Sequence, residues 1–148
     1  MINLGNRKKI AVVGLGYVGL PTAISLHEVG HSINGIDVSN SVIESLAKGK
    51  NHLKDTSDEI SIPIKSDRWS LTNTYDSVCD SEIVIITVPT PISEGNQPDL
   101  SFVETAISNV MQNIEKNSGT ILVLESTVYP GVTRKAIHSE SRKFNLVD

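Results

Sequence analysis

Apolar residues along this chain fall into two kinds of run. Ile10-Ala11-Val12-Val13, Ile83-Val84-Ile85-Ile86 and Ile121-Leu122-Val123-Leu124 are short blocks, apolar at every position. A strand apolar on both faces needs a covering layer on each, the arrangement of a parallel sheet's interior. Between the blocks, apolar residues step at helical spacing. Leu20, Ala23, Ile24 and Leu26 predict a helix. It starts close to Gly19, because Pro21 is tolerated only in a first turn, and it stops at Gly30. Val42, Ile43 and Leu46 predict a shorter helix behind a Ser39 cap, with Lys48 and Gly49 as stop signals. Val103, Ala106, Ile107, Val110, Met111 and Ile114 form the clearest amphipathic stripe. Ser101 and Glu104 precede it with capping-box spacing. A last helix is predicted over 133–143. Weaker strands are predicted over 31–37, ending on Asp37, over Trp69-Ser70-Leu71-Thr72, and from Phe144 onward. Segments 50–68 and 89–99 are polar and interrupted by prolines, so they read as loops.

Strands alternating with helices predict one α/β domain over 1–148, built on a mostly parallel sheet with helices on both faces. The sheet is expected to be cut off near a sixth strand. Composition supports a globular chain: of 148 residues, 39% are hydrophobic and 20% charged. Thirteen Lys and Arg against 17 Asp and Glu leave a net charge of −4, with no basic block, which argues against a nucleic-acid partner. No apolar run approaches the roughly 18 residues needed to cross a bilayer. The N-terminus turns charged just before its first apolar block, unlike a secretory signal. A cytoplasmic, soluble protein is expected. Cys79 is the single cysteine, which excludes a disulfide framework and a multi-cysteine metal site. It is expected to be a small, buried or half-buried thiol. His27, His31, His52 and His138 show no metal-ligand spacing, so no metal site is expected.

The candidate chemistry lies at the first strand-to-helix crossing. Gly14-Leu15-Gly16-Tyr17-Val18-Gly19 satisfies G-x-G-x-x-G, follows a buried strand and opens a helix. In that context Gly14 permits a tight turn, Gly16 lets a pyrophosphate approach the backbone, and Gly19 lets helix and strand pack closely. The helix N-terminus offers N–H groups and partial positive charge to phosphates. Asp37, at the end of the second strand, can accept hydrogen bonds from ribose hydroxyls. Its charge repels a 2′-phosphate, and no Arg or Lys follows it before Lys48. NAD is therefore the expected cofactor rather than NADP. The segments ending the fourth and fifth predicted strands, Ile86-Thr87-Val88-Pro89-Thr90-Pro91 and Leu124-Glu125-Ser126-Thr127, fall where an open α/β sheet binds its ligand.

Together these strings resemble the N-terminal domain of the nucleotide-sugar dehydrogenase family, a Rossmann-type doubly wound fold. The resemblance is carried by residues 12–21, Gly35-Ile36-Asp37-Val38, Val88-Pro89-Thr90-Pro91, Pro98-Asp99-Leu100-Ser101 and Glu125-Ser126-Thr127-Val128-Tyr129-Pro130-Gly131. Asn51-His52-Leu53 resembles the UDP-N-acetylmannosamine branch. The resemblance implies oxidation of a nucleotide-sugar primary alcohol to the carboxylate with two NAD. It implies cofactor contacts at Gly14, Leu15, Gly16, Tyr17, Val18, Gly19, Asp37, Val88, Pro89, Thr90, Ser126 and Thr127, with the Thr127 hydroxyl beside the reacting centre. It also places the nucleophilic cysteine and the central and UDP-binding domains beyond Asp148, so Cys79 is not that cysteine and the chain alone is expected to be inactive. Two other readings stay open: the cofactor domain of a hydroxyacid or 6-phosphogluconate-type dehydrogenase, and a non-enzymatic nucleotide-binding module that self-associates through an open sheet edge.

Overall fold

The computed structural model describes residues 7–54, 60–92, 99–115, 118–126 and 131–144, without the side chains of Val132, Thr133 and Lys135. Five strands, β1 (Lys9–Val13), β2 (Ser32–Ile36), β3 (Trp69–Thr72), β4 (Ile83–Ile86) and β5 (Ile121–Leu124), form one sheet in the order β3-β2-β1-β4-β5. Every pairing is parallel. Val13 lies opposite both Ile36 and Ile86, so the three central strands end level with one another. The helices are α1 (Gly19–Glu28), α2 (Asn40–Ala47), α3 (Ser101–Asn113) and α4 (Val132–Lys143).

The apolar blocks explain the layers. Ala11 and Val13 of β1 point to one face, where Val84 and Ile86 join them under α3 residues Val103, Ile107 and Val110 and α4 residues Ala136 and Ile137. Ile10 and Val12 point to the other, against Leu20 and Ala23 of α1 and Leu46 of α2. Apart from Ala136 and Ile137, which are partly buried, both residue sets are almost wholly buried. This is the doubly wound, parallel α/β sheet that the continuous apolar blocks predict. The edge strand β5 is less covered, with Ile121 exposed.

Local details depart from the sequence reading. Ser39 and Leu100 occupy the N-cap positions of α2 and α3 without a side-chain cap bond. The neighbouring aspartates do that work: Asp37 Oδ1 accepts from Ser39 N–H and Asp99 Oδ1 from Ser101 N–H, each at 2.9 Å. Ser101 is thus the first helical residue rather than the cap. Cys79 is exposed, not half-buried. It lies in a 3₁₀ turn, Asp76–Asp80, whose inward residue is Val78. Phe144 caps the end of α4. The remainder of the expected sixth strand lies outside the described residues.

A polar residue completes the inner stripe of α1. His27 continues the Leu20, Ala23 spacing and is 8% exposed. Its ring meets Trp69 edge-on at 5.8 Å, and its Nε2 hydrogen-bonds with the Ser66 hydroxyl at 2.8 Å. Burial, reinforced by the Arg68 guanidinium, holds its pKa below the ordinary 6.5. The unfolded chain therefore takes a proton at this ring more readily than the folded one. The contribution of His27 to stability is complete above pH 6.5 and is lost as pH falls through the folded-state value. Urea midpoints measured across that acid range are expected to drop in the native chain, and less steeply in His27→Gln. Equal slopes would remove His27 as the cause.

Candidate functional site

A cavity of about 790 Å³ opens at the carboxyl ends of the central strands, where the strand order reverses beside β1. That size suits a small-molecule or cofactor site. Its floor is the turn from β1 into α1. Gly14 adopts φ +91°, a conformation that side chains other than glycine's rarely take. Its N–H donates to Ile36 O at 2.8 Å. A Cβ on Gly16 would meet nothing within 4 Å, so this backbone faces open space. A Cβ on Gly19 would stand 1.8 Å from Gly14 O and 2.4 Å from Thr87 Oγ1. The three glycines thus differ in function: one bends the chain, one leaves a cradle, and one lets α1 close on the turn.

Asp37 ties the cradle to the second strand. Its Oδ2 accepts from Leu15 N–H at 2.9 Å while its Oδ1 accepts from Ser39 N–H. A carboxylate has about four lone-pair sites, so two more donors can be received. Thr87, just past β4, fastens the turn from the other side. Its N–H donates to Val13 O at 2.8 Å, and its hydroxyl lies 2.7 Å from Gly14 O and 3.0 Å from Val13 O. Farther along, the Ser126 hydroxyl donates to Val88 O at 2.7 Å, joining the loops after β4 and β5.

Of the residues that the sequence singled out, Gly14, Gly16, Tyr17, Val18, Asp37, Val88, Pro89, Thr90 and Ser126 all line this one cavity. Leu15 and Gly19 do not. The Leu15 side chain is fully buried among the residues under α1, and its N–H is taken by Asp37. Gly19 packs against Gly14 and Thr87. Thr127 lies outside the described residues. Sequence reasoning quoted Val38 and His52 within strings of the family resemblance without giving them a contact, and did not single out Tyr75, Phe102 or Thr105; all five also line the cavity. Val38 is 74% and Phe102 50% exposed, an apolar pair suited to a flat ring. Tyr75 is half-buried, and desolvation pushes its phenol pKa up despite a hydrogen bond with Asn109. Their signal in the sequence is weak, because Val38, His52 and Tyr75 lie in connections after β2, α2 and β3, and Phe102 and Thr105 in the first turns of α3, none of them in a glycine-type motif.

The cavity's charge is one-sided. Among the described lining residues are the carboxylates of Asp37 and Glu125, and no Lys or Arg. No group of three or more His, Cys, Asp or Glu able to hold a metal occurs among the described residues. The same residues include no helix long and apolar enough to cross a membrane. A dinucleotide fits what is present. The Gly16 backbone leaves room for a diphosphate at the head of α1, whose N-cap position, Val18, contributes no side-chain cap. The carboxylate at Asp37 suits ribose hydroxyls, and exposed apolar side chains suit the rings.

Comparison with known proteins agrees. Residues 8–146 match the model of the UDP-glucose/GDP-mannose dehydrogenase family, NAD binding domain. The chain is 37% identical over 131 residues to the UDP-N-acetyl-D-mannosamine dehydrogenase of Pyrococcus horikoshii, covering 86% of this chain and 30% of that protein. It is 35% identical over 138 residues to the UDP-N-acetyl-D-glucosamine 6-dehydrogenase of Pseudomonas aeruginosa, covering 93% and 31%. A solved GDP-mannose dehydrogenase from Pseudomonas aeruginosa superposes with a TM-score of 0.84 at 29% identity, covering 91% of this chain and 32% of that one. A 3-hydroxyisobutyrate dehydrogenase from Mycobacterium tuberculosis, at 16% identity and a TM-score of 0.60, shares the fold alone. The chain spans about a third of the length of the relatives it matches. It belongs to the UDP-glucose/GDP-mannose dehydrogenase family, as its NAD-binding domain.

Proposed function

We propose that this domain holds the dinucleotide for a nucleotide-sugar 6-dehydrogenase, and that the described cavity is where it does so. The observation that carries this is the convergence of the open Gly16 backbone, the head of α1 and the Asp37 carboxylate on one cavity. Asp37 receives the adenosine ribose hydroxyls. The turn from Gly14 to Val18 faces the diphosphate. Val38 and Phe102 flank the adenine, and Val88, Pro89, Thr90 and Ser126 lie toward the nicotinamide. The next residue in the chain, Thr127, carries the hydroxyl proposed to orient a water or support developing charge.

Bound NAD supplies a hydride acceptor. Two successive transfers take a primary alcohol through the aldehyde to the carboxylate, with water providing the second oxygen. The substrate is a nucleoside diphosphate sugar such as UDP-N-acetylmannosamine or UDP-glucose, and residues outside this domain read the sugar. The capture and hydrolysis steps also lie outside it, so the 148 residues do not oxidise substrate alone. Residues 1–148 act as one domain, in the cytoplasm where NAD and nucleotide sugars are supplied. The partly covered β5 edge suits contact with a further part of the protein or a second copy.

Calorimetric titration with NAD and NADP tests the site. NAD binds and raises the unfolding temperature, while NADP does so much less, because its 2′-phosphate meets Asp37 with no Lys or Arg among the described lining residues. Equal binding of the two, or no heat with NAD, overturns the assignment of the cavity.

A further inference from the structure

We propose that His52 is a dinucleotide-binding residue that brings a cationic hydrogen-bond donor to the cofactor's diphosphate, and that Tyr17 positions it. The inference rests on the reading that this cavity takes NAD. A diphosphate carries two negative charges, and the two lining carboxylates oppose it. Backbone N–H groups at the head of α1 answer part of that charge. Among the described lining residues, His52 is the one side chain able to become a cation.

Its position is built rather than incidental. Residues 50–54 leave the end of α2 as a short strap. At one end Lys50 N–H donates to Ser45 O at 3.0 Å, and the Ser45 hydroxyl returns a bond to Lys50 O at 3.2 Å. Within it, Asn51 Oδ1 accepts from Leu53 N–H at 3.0 Å, a local turn centred on His52. Leu53 packs with the buried residues under α1 and α2. At the far end the Tyr17 hydroxyl donates to Lys54 O at 3.1 Å. Tyr17 belongs to the glycine turn itself, so the strap is fastened to the cradle. The strap thereby holds His52 in the wall of the cavity that the glycine turn also lines.

The ring is not committed to a structural bond at its buried nitrogen. Nδ1 is shielded from solvent and has no hydrogen-bond partner among the described residues. Natural structures rarely leave such an atom unpaired without a functional reason.

Calorimetry on the full chain with NAD, ADP-ribose and adenosine tests the proposal, using His52→Ala, His52→Gln and His52→Lys. His52→Ala is expected to weaken NAD and ADP-ribose roughly tenfold to a hundredfold, the effect of losing a charged hydrogen bond, while leaving adenosine unchanged. His52→Lys restores most of the loss, and His52→Gln restores little. Should the alanine variant fail to fold, the Gln and Lys pair carries the comparison. The proposal is overturned if all three ligands weaken alike, which marks His52 as shaping the strap. It is equally overturned if adenosine alone weakens, or if the Gln and Lys variants bind NAD as the native chain does. NAD binding by the native chain is the separate control: its absence would remove the cavity assignment instead.

Discussion

Gly19→Ala is expected to destabilise the domain by about 3 kcal/mol or more, whereas Gly16→Ala, three residues earlier, changes stability by about 0.5 kcal/mol or less. The difference follows from what each new methyl would touch. At Gly19 it would enter space held by Gly14 O at 1.8 Å and Thr87 Oγ1 at 2.4 Å. Neither is the tip of a flexible chain. Gly14 is fixed by its bond to Ile36 O, and Thr87 by its bonds to Val13 O and Gly14 O. Relief would require α1 to move off the sheet, lifting Leu20 and Ala23 out of a face where both are fully buried. A loss of this size is a large part of the roughly 5–15 kcal/mol that holds an ordinary domain together. At Gly16 the methyl meets nothing within 4 Å and the backbone needs no positive φ. It does occupy the cradle, so NAD affinity is expected to fall roughly tenfold or more while the fold persists. Urea unfolding and calorimetry on both variants check the pair. Wild-type stability in Gly19→Ala would contradict the close approach of α1, and wild-type NAD affinity in Gly16→Ala would contradict the cradle.

That contrast shows what a sequence discloses about such a site. The pattern G-x-G-x-x-G assigns its glycines by precedent, and here each stands in a distinct local geometry: positive φ at Gly14, open space at Gly16 and close contact at Gly19. Asp37 was equally legible, since a strand end opposite a glycine turn is a position that topology determines. Leu15 was not. The motif groups it with its neighbours, yet the turn sends its side chain downward into the core and its N–H to Asp37. Tyr75 and Phe102 were invisible for another reason, and His52, though named in the resemblance, had no contact assigned to it for the same one. They come from the turn after β3, the head of α3 and the strap after α2, segments far apart in sequence that only the closed sheet brings to one wall. The same holds at the opposite end of the strands. His27 fits the helical stripe of Leu20 and Ala23, but its polarity hides it until Ser66 and Trp69 are in place. The α2 cap fell on Ser39 as expected but without a side-chain cap bond, and the α3 cap fell one step earlier, on Leu100; Asp37 and Asp99 instead accept from the N–H groups of Ser39 and Ser101 themselves.

Asp37 joins structure and selectivity, and its substitutions should separate them. Asp37→Ala removes two carboxylate hydrogen bonds of 2.9 Å, to Leu15 and Ser39, and about 2–4 kcal/mol of stability is expected to go with them. The same change removes the acceptor for the ribose hydroxyls, so NAD affinity falls roughly a hundredfold. Asp37→Asn is the sharper probe. Its single carbonyl oxygen can still serve Leu15 or Ser39, which preserves much of the fold, but the charge is gone. A 2′-phosphate then no longer faces a carboxylate, and the amide can donate to it. NAD binding weakens, NADP binding holds or improves, and the preference between them contracts. Salt gives an independent reading: discrimination in the native chain should shrink as ionic strength screens the carboxylate, while in Asp37→Asn it has little left to lose. If Asp37→Asn kept the native preference at every salt concentration, discrimination would have to arise from shape, at Val38 and the start of α2, rather than from charge.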